Sequence, residues 1–166
     1  MTLYAHSPKN GDSGTRVLAF CLLFGGLIII MLSSLVKAYA GAVQMLGFLL
    51  AIASVMVCTR FMLTYYTYSV ESPDGDGIAD LVIIERRGGR ERTVCRVAVS
   101  GGRLTVATRA NKPLGRCFDY RPGLFTPSYY FTPTDSDGDS IRFSPDDRLL
   151  SALCALGAKK DGENAG

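Results

Sequence analysis

Between Val17 and Thr59 the chain carries one charged residue, Lys37. On either side of it, Val17–Val36 and Ala38–Thr59 would be apolar on every face of a helix. A helix with no polar side has to be buried or sit in lipid. A bilayer core of about 30 Å is crossed by about 20 residues rising 1.5 Å each. The connection around Ser34–Ala40 is too short for anything but a return in the opposite direction. The pattern therefore predicts a two-helix transmembrane hairpin over 17–59, behind a polar N-terminal tail over 1–16. The competing reading is a cleaved signal peptide, with Arg16 closing a basic region and Ala38-Tyr39-Ala40 as the small-residue cleavage site. Against it, the first run is longer than a usual signal core and a second full span follows at once.

Small residues recur along both runs: Ala19, Gly26 and Ser33 in the first, and Ala40, Gln44, Gly47, Ala51, Ser54 and Cys58 in the second. In lipid such residues let helix backbones approach, because packing rather than the hydrophobic effect drives association. The seams are expected to hold the hairpin together. Self-association or a polar pathway through Gln44 is the alternative, although no Asp, Glu, Arg or His lies within either run to support transport.

From residue 60 the pattern changes to alternation with a period of two, bounded by turn residues, and a domain is expected over 60–157. Strands are predicted over Thr64–Val70, Ile78–Arg86, Glu91–Val99, Arg103–Thr108, Cys117–Arg121, Ser128–Thr132 and Ile141–Phe143. On the third, Thr93, Cys95, Val97 and Val99 should share a face. The period then lengthens. Ser144-Pro145-Asp146-Asp147 reads as a helix start, with Ser144 as N-cap. Leu149, Leu150, Leu153, Cys154 and Leu156 form the apolar stripe, and Gly157 ends it. Residues 158–166 read as a disordered polar tail.

Composition removes several function classes. A net charge of +3 with no basic stripe and no Trp gives no footing for nucleic acid. The five cysteines form no Cys-x-x-Cys pair, which excludes zinc ribbons and thioredoxin-type chemistry, and scattered thiols suit a reducing compartment. Neither phosphate-cradling glycine motif is present. The only histidine, His6, falls in the N-terminal tail, so Ser–His or Cys–His catalysis lacks a base inside the domain. No catalytic residue, cofactor or small-molecule substrate is assigned, and the chain is read as non-enzymatic.

The hairpin followed by an aromatic strand, a turn, an apolar strand, a basic turn and an alternating strand resembles bacterial two-helix membrane proteins with a pleckstrin-homology-like (PH-like) C-terminal domain. The residues that carry the resemblance are Tyr66–Val70, Asp80–Arg87, Arg92–Val99 and the helix entry Phe143–Leu156. It implies an α+β domain, an antiparallel seven-stranded barrel or sandwich capped by a C-terminal helix, and a scaffold without shared catalytic residues. In eukaryotic PH domains a basic first hairpin loop takes inositol lipids; here the corresponding turn, Pro73–Gly77, is acidic.

Two charged turns are candidates for chemistry. Arg86, Arg87, Arg90 and Arg92 could touch anionic headgroups, each worth about 1 kcal/mol near a membrane surface, or be a solvated hairpin tip whose charges block edge pairing. Asp135, Asp137 and Asp139 fall on the first, third and fifth positions of a calcium loop, with Asp146 at the twelfth. Ser140, however, stands where such a loop needs glycine. Asp74, Asp76 and Asp80 make a similar, single run. Asp and Gly are also what hairpin turns demand, so no metal is assigned. Tyr65 and Tyr66, just after the second span, are expected in an interfacial belt.

The expected protein is a multi-pass cell-membrane protein with both termini cytoplasmic, because Lys9, Arg16 and Arg60 flank the outer ends of the spans and only Lys37 the turn. Its expected partners are the bilayer and either a membrane protein or a second copy of itself. The alternative is a calcium-responsive membrane protein using the Asp-rich turns.

Overall fold

The structure, a computed structural model, describes residues 2–8, 12–35, 39–72 and 79–160. The turn at Pro73–Gly77, Lys37 and the last six residues lie outside them. The chain divides into two compact units, a helical one and a β-rich one.

The helical unit consists of α1 (Ser13–Leu32), a single 3-10 turn (Ser33–Leu35), α2 (Ala40–Phe61) and the short segment Gly123–Phe125. Helix α1 starts four residues earlier than the hydrophobic run suggests. Asp12 is its N-cap, and its carboxylate accepts the Thr15 amide at 2.6 Å, which satisfies one of the unpaired donors of the first turn. Arg16 is therefore helical rather than part of a tail.

The β-rich unit holds two sheets over one core. The first runs β1-β2-β3-β4, with β1 Thr2–His6, β2 Thr64–Glu71, β3 Asp80–Arg87 and β4 Arg90–Ala98. The second runs β6-β8-β7-β5-β9, with β5 Arg103–Val106, β6 Cys117–Asp119, β7 Tyr129–Thr132, β8 Ser140–Phe143 and β9 Lys159–Lys160. Helix α3, Asp147–Ala155, lies between β8 and β9 in the chain. Tyr66, Tyr68 and Val70 of β2, Leu81 and Ile83 of β3, Leu104 of β5, Phe131 of β7, Ile141 and Phe143 of β8, and Leu149 and Leu153 of α3 form one buried cluster. The seven expected strands are present as β2–β8, in a mixed α+β fold, but among the described residues they do not close into a barrel.

Two strands were not anticipated. Thr2–His6 is not a polar tail: it pairs antiparallel with β2, with Tyr4 opposite Val70 and His6 opposite Tyr68. At the other end, Lys159–Lys160 pairs in parallel with Arg103–Leu104 and Ala158 is buried, so the tail begins no earlier than residue 161. Both additions extend sheet edges, where unpaired amides would otherwise face solvent.

Local details also differ from the sequence pattern. On β4 the face is not Thr93, Cys95, Val97 and Val99. The register slips between Ile83 and Ile84, which face Cys95 and Thr93, so Val94 is an extra, bulged residue. A bulge changes the phase of the alternation: Val94, Cys95 and Val97 pack against the core while Thr93 is exposed. The N-cap of α3 is Asp146, whose Oδ1 accepts the Leu149 amide at 2.9 Å. Ser144 instead donates to the Pro127 carbonyl at 2.6 Å. Tyr66 is 2% exposed and Tyr65 51%. Adjacent strand residues point to opposite faces, so only Tyr65 is free for an interface.

Candidate functional site

The helical pair is the first candidate. Both helices are long and apolar enough to cross a membrane. Their shared seam is made of small residues, and Ala19, Gly26, Ser33, Gly47 and Ser54 are buried. At Gly26 and Gly47 the backbones touch. A methyl at Gly26 would lie 2.7 Å from the Gly47 carbonyl oxygen, and one at Gly47 would lie 2.8 Å from the Gly26 carbonyl oxygen. One heptad away in each helix, the Ser54 hydroxyl donates to the Ala19 carbonyl at 2.8 Å, a bond worth about 0.6 kcal/mol in lipid. Gln44 does not join this seam; it is exposed, as are its neighbours Met45 and Leu46. Outside the seam the surface is largely apolar, with Val17, Phe20, Phe24, Leu27, Ile28 and Met31 of α1 and Phe48, Leu49, Ile52 and Val55 of α2 exposed.

The basic turn is the second. Gly88 and Gly89 both have positive φ (55° and 79°), as a tight two-residue hairpin with the sheet's own twist requires. The register pairs Arg87 with Arg90, Glu85 with Arg92 and Arg86 with Glu91. Opposed residues share a face, so Arg87, Arg90 and Arg92 gather on one side with Glu85. Arg86 falls on the other side, bridged to Glu91 at 2.9 Å. Of the four arginines singled out by sequence, three come together, and one of them is partly offset by Glu85. The hairpin tip they share is open to solvent.

The acidic turn does not assemble. Asp135 and Asp137 are exposed, while Asp139 Oδ1 accepts the Arg116 amide at 2.9 Å and Gly138 turns the chain at φ 86°. No group of three or more His, Cys, Asp or Glu side chains suited to a metal occurs among the described residues. The carboxylates of Asp74 and Asp76 lie outside them.

Sequence reasoning missed a third cluster because it left His6 in a tail. Strand β1 brings the His6 ring to Asp146: Nδ1 lies 3.4 Å from Oδ2, and the Tyr4 hydroxyl donates to the same oxygen at 2.6 Å. Tyr4 and His6 are half-buried and alternate with exposed Leu3 and Ala5, an alternation that the residue types of so short a segment do not display. The hydrogen bond to Asp146 pushes the Tyr4 hydroxyl above its ordinary pKa. Desolvation works to raise Asp146, but the Tyr4 hydroxyl, the Leu149 amide and His6 outweigh it, and the carboxyl titrates below the usual carboxylate range. A histidine oriented by a carboxylate is half of a nucleophile-activating arrangement. Among the described residues no serine, threonine or cysteine is hydrogen-bonded to His6, and the three side chains act as a latch between β1 and the start of α3.

Elsewhere in this unit, Arg121 is buried against Asp119, donating to both carboxylate oxygens with the shortest contact at 2.7 Å. Desolvation opposes ionisation of Asp119, yet the Arg121 bonds hold its carboxyl below the ordinary range. The Tyr68 hydroxyl, wholly buried, donates to the Tyr120 carbonyl at 2.7 Å and accepts the Ser144 amide at 3.4 Å. Burial raises its pKa well above that of a free tyrosine. These groups satisfy one another inside the domain. No family model, curated protein or solved structure matches the chain.

Proposed function

We propose that this chain is a non-enzymatic interaction module anchored in the cell membrane by α1 and α2, with a PH-like domain and both termini on the cytoplasmic face. One observation carries the reading: β1, before the helical pair, and β2, after it, are neighbours in one sheet. Strands that pair must share a compartment, so the helices between them cross the bilayer an even number of times. The exposed apolar flank of both helices supports burial in lipid, since every backbone group inside a helix is satisfied without water.

The cytoplasmic side is favoured by Lys9, Arg16 and Arg60, which flank the outer ends of the two apolar runs in the sequence, and by five free cysteines that an oxidising compartment would tend to pair. Two sheets and a C-terminal helix around one core are compatible with a PH-like scaffold. Its accessible features, the arginine face of the β3–β4 hairpin and the open strand edges, suit docking of a membrane-protein partner or a second copy.

Cysteine accessibility in intact cells tests the placement. In a cysteine-free, full-length background, an impermeant maleimide should label Tyr39→Cys from outside and label Ser100→Cys only after lysis. The reverse pattern overturns the cytoplasmic assignment, and extraction of the protein by carbonate overturns the anchor.

A further inference from the structure

Three residues of the chain between β6 and β7 belong to the helical unit. The chain leaves the β-rich unit at Pro122 and rejoins it at Thr126, and Gly123–Phe125 in between lies against the start of α1. The attachment is specific. Thr15 Oγ1 accepts the Leu124 amide at 2.9 Å, and Asp12 Oδ2 accepts the Phe125 amide at 2.9 Å while its Oδ1 caps the Thr15 amide. The Phe125 ring rests on Gly14, where an added methyl would stand 2.8 Å from its Cδ2. Beside it Ser13, Val17, Leu18 and Cys21 complete a shallow, largely apolar groove. Phe125 nevertheless remains 65% exposed.

We propose that Gly123–Phe125 is a third point of attachment to the bilayer, with the Phe125 ring seated in lipid at the interfacial level beside the first turns of α1. This rests on the reading of α1 as a membrane span.

Two independent features select lipid as the occupant. The groove lies within the first eight or so residues of the helix, about 12 Å along its axis. Its surface continues without a polar break into Phe20, Phe24, Leu27 and Ile28, all exposed, so the ring enlarges the lipid-facing surface of a span rather than forming an isolated patch. Two of the segment's backbone donors are also satisfied. Asp12 and the buried Thr15 take up both the Leu124 and Phe125 amides, as backbone needs where water is scarce. An ordinary solvent loop has no such requirement.

The chain contains no tryptophan, so Phe125→Trp makes the full-length protein a single-tryptophan reporter, excited selectively over its tyrosines. It is placed in nanodiscs whose lipids carry a nitroxide either near the headgroup or at the chain end, with Phe20→Trp as the control inside α1. The expected result is loss of at least half the Phe125→Trp emission to the shallow nitroxide and less to the deep one. Thr15→Val, which removes the acceptor for Leu124, should shift that emission to the red and weaken the quenching. Quenching of Phe20→Trp without quenching of Phe125→Trp overturns the third attachment and leaves the anchor standing. Failure to quench Phe20→Trp overturns the span itself. Emission that is shielded from aqueous iodide yet insensitive to either lipid label would mean a protein partner covers Phe125, and also refutes the proposal. If Phe125→Trp misfolds, an environment-sensitive dye on Phe125→Cys in a cysteine-free background makes the same measurement.

Discussion

Gly25 and Gly26 are neighbours in α1, and replacing each with alanine should have opposite consequences. A methyl at Gly25 meets nothing within 4 Å. A methyl at Gly26 would lie 2.7 Å from the Gly47 carbonyl oxygen, 3.2 Å from the Ala51 nitrogen and 3.3 Å from the Leu50 Cβ. Comfortable carbon contacts begin near 3.5 Å, so the helices must part by somewhat under 1 Å, and two of the three obstructing atoms are backbone with no rotamer to yield. Overpacking of one methyl costs about 1–3 kcal/mol. Parting the backbones also stretches the Ser54–Ala19 bond one heptad away, adding up to about 0.6 kcal/mol. Gly26→Ala is therefore expected to destabilise the helical pair by about 1–3.5 kcal/mol, while Gly25→Ala is neutral or slightly favourable. The assay is a titration of full-length protein from dodecylmaltoside into dodecyl sulfate. Helix separation is followed by energy transfer between dyes on Ser13→Cys and Arg60→Cys in a cysteine-free background. Equal midpoints for the two variants would refute the close approach at Gly26.

Four further outcomes follow from the β-rich unit. Tyr68→Phe keeps the edge-on contact with Phe143 at 5.4 Å but removes the donor to the Tyr120 carbonyl, and should lower stability by about 1–3 kcal/mol, read as a fall in melting temperature in detergent. Asp146→Ala loses both the α3 cap and the anchor for Tyr4 and should cost about 1–2 kcal/mol, whereas Asp147→Ala should cost much less. Asp146 and Asp119 have depressed pKa values in the fold, so their contribution is complete above the unfolded carboxylate value of about 3.9 and is lost as pH falls through the lower folded values. Melting temperature should therefore drop in that acid range, and Asp146→Asn should flatten the drop. Millimolar Ca²⁺ should leave the melting temperature of the full-length protein unchanged; a rise abolished by Asp137→Asn would restore the calcium reading.

What could be read from sequence depended on how far each signal extended along the chain. The helical pair was legible because an uncharged run of that length has few places to go, and Ala19, Gly26, Gly47 and Ser54 were identifiable by their heptad spacing. Gln44 shows the limit: a small-residue pattern fixes a stripe, not which polar residue lies on it. Strands β2–β8 announced themselves by alternation and glycine turns. Strand β1 did not, since five residues carry little periodicity and their partner lies beyond both apolar helices, so His6 was set aside. Strand β9, two residues long, exists only because Arg103 and Leu104 offer an edge. The bulge at Val94 and the choice of Asp146 over Ser144 as a cap are settled by neighbours that local sequence does not name. The clamp at Asp12 and Thr15 was invisible for the same reason, its partners being more than a hundred positions away.

Because β2 leaves the ribosome more than fifty residues after its partner β1, the two can pair only after a delay of several seconds at the usual 5–20 residues per second. In the membrane-anchored reading proposed above, α1 and α2 must both be inserted during that interval. If the first helix enters in the wrong direction, β1 ends on the far side of the bilayer and β2 is left with a bare edge, which invites aggregation. On that reading, closure of this sheet would double as a check on insertion, and molecules that fail it would present quality-control proteases with an unfinished domain.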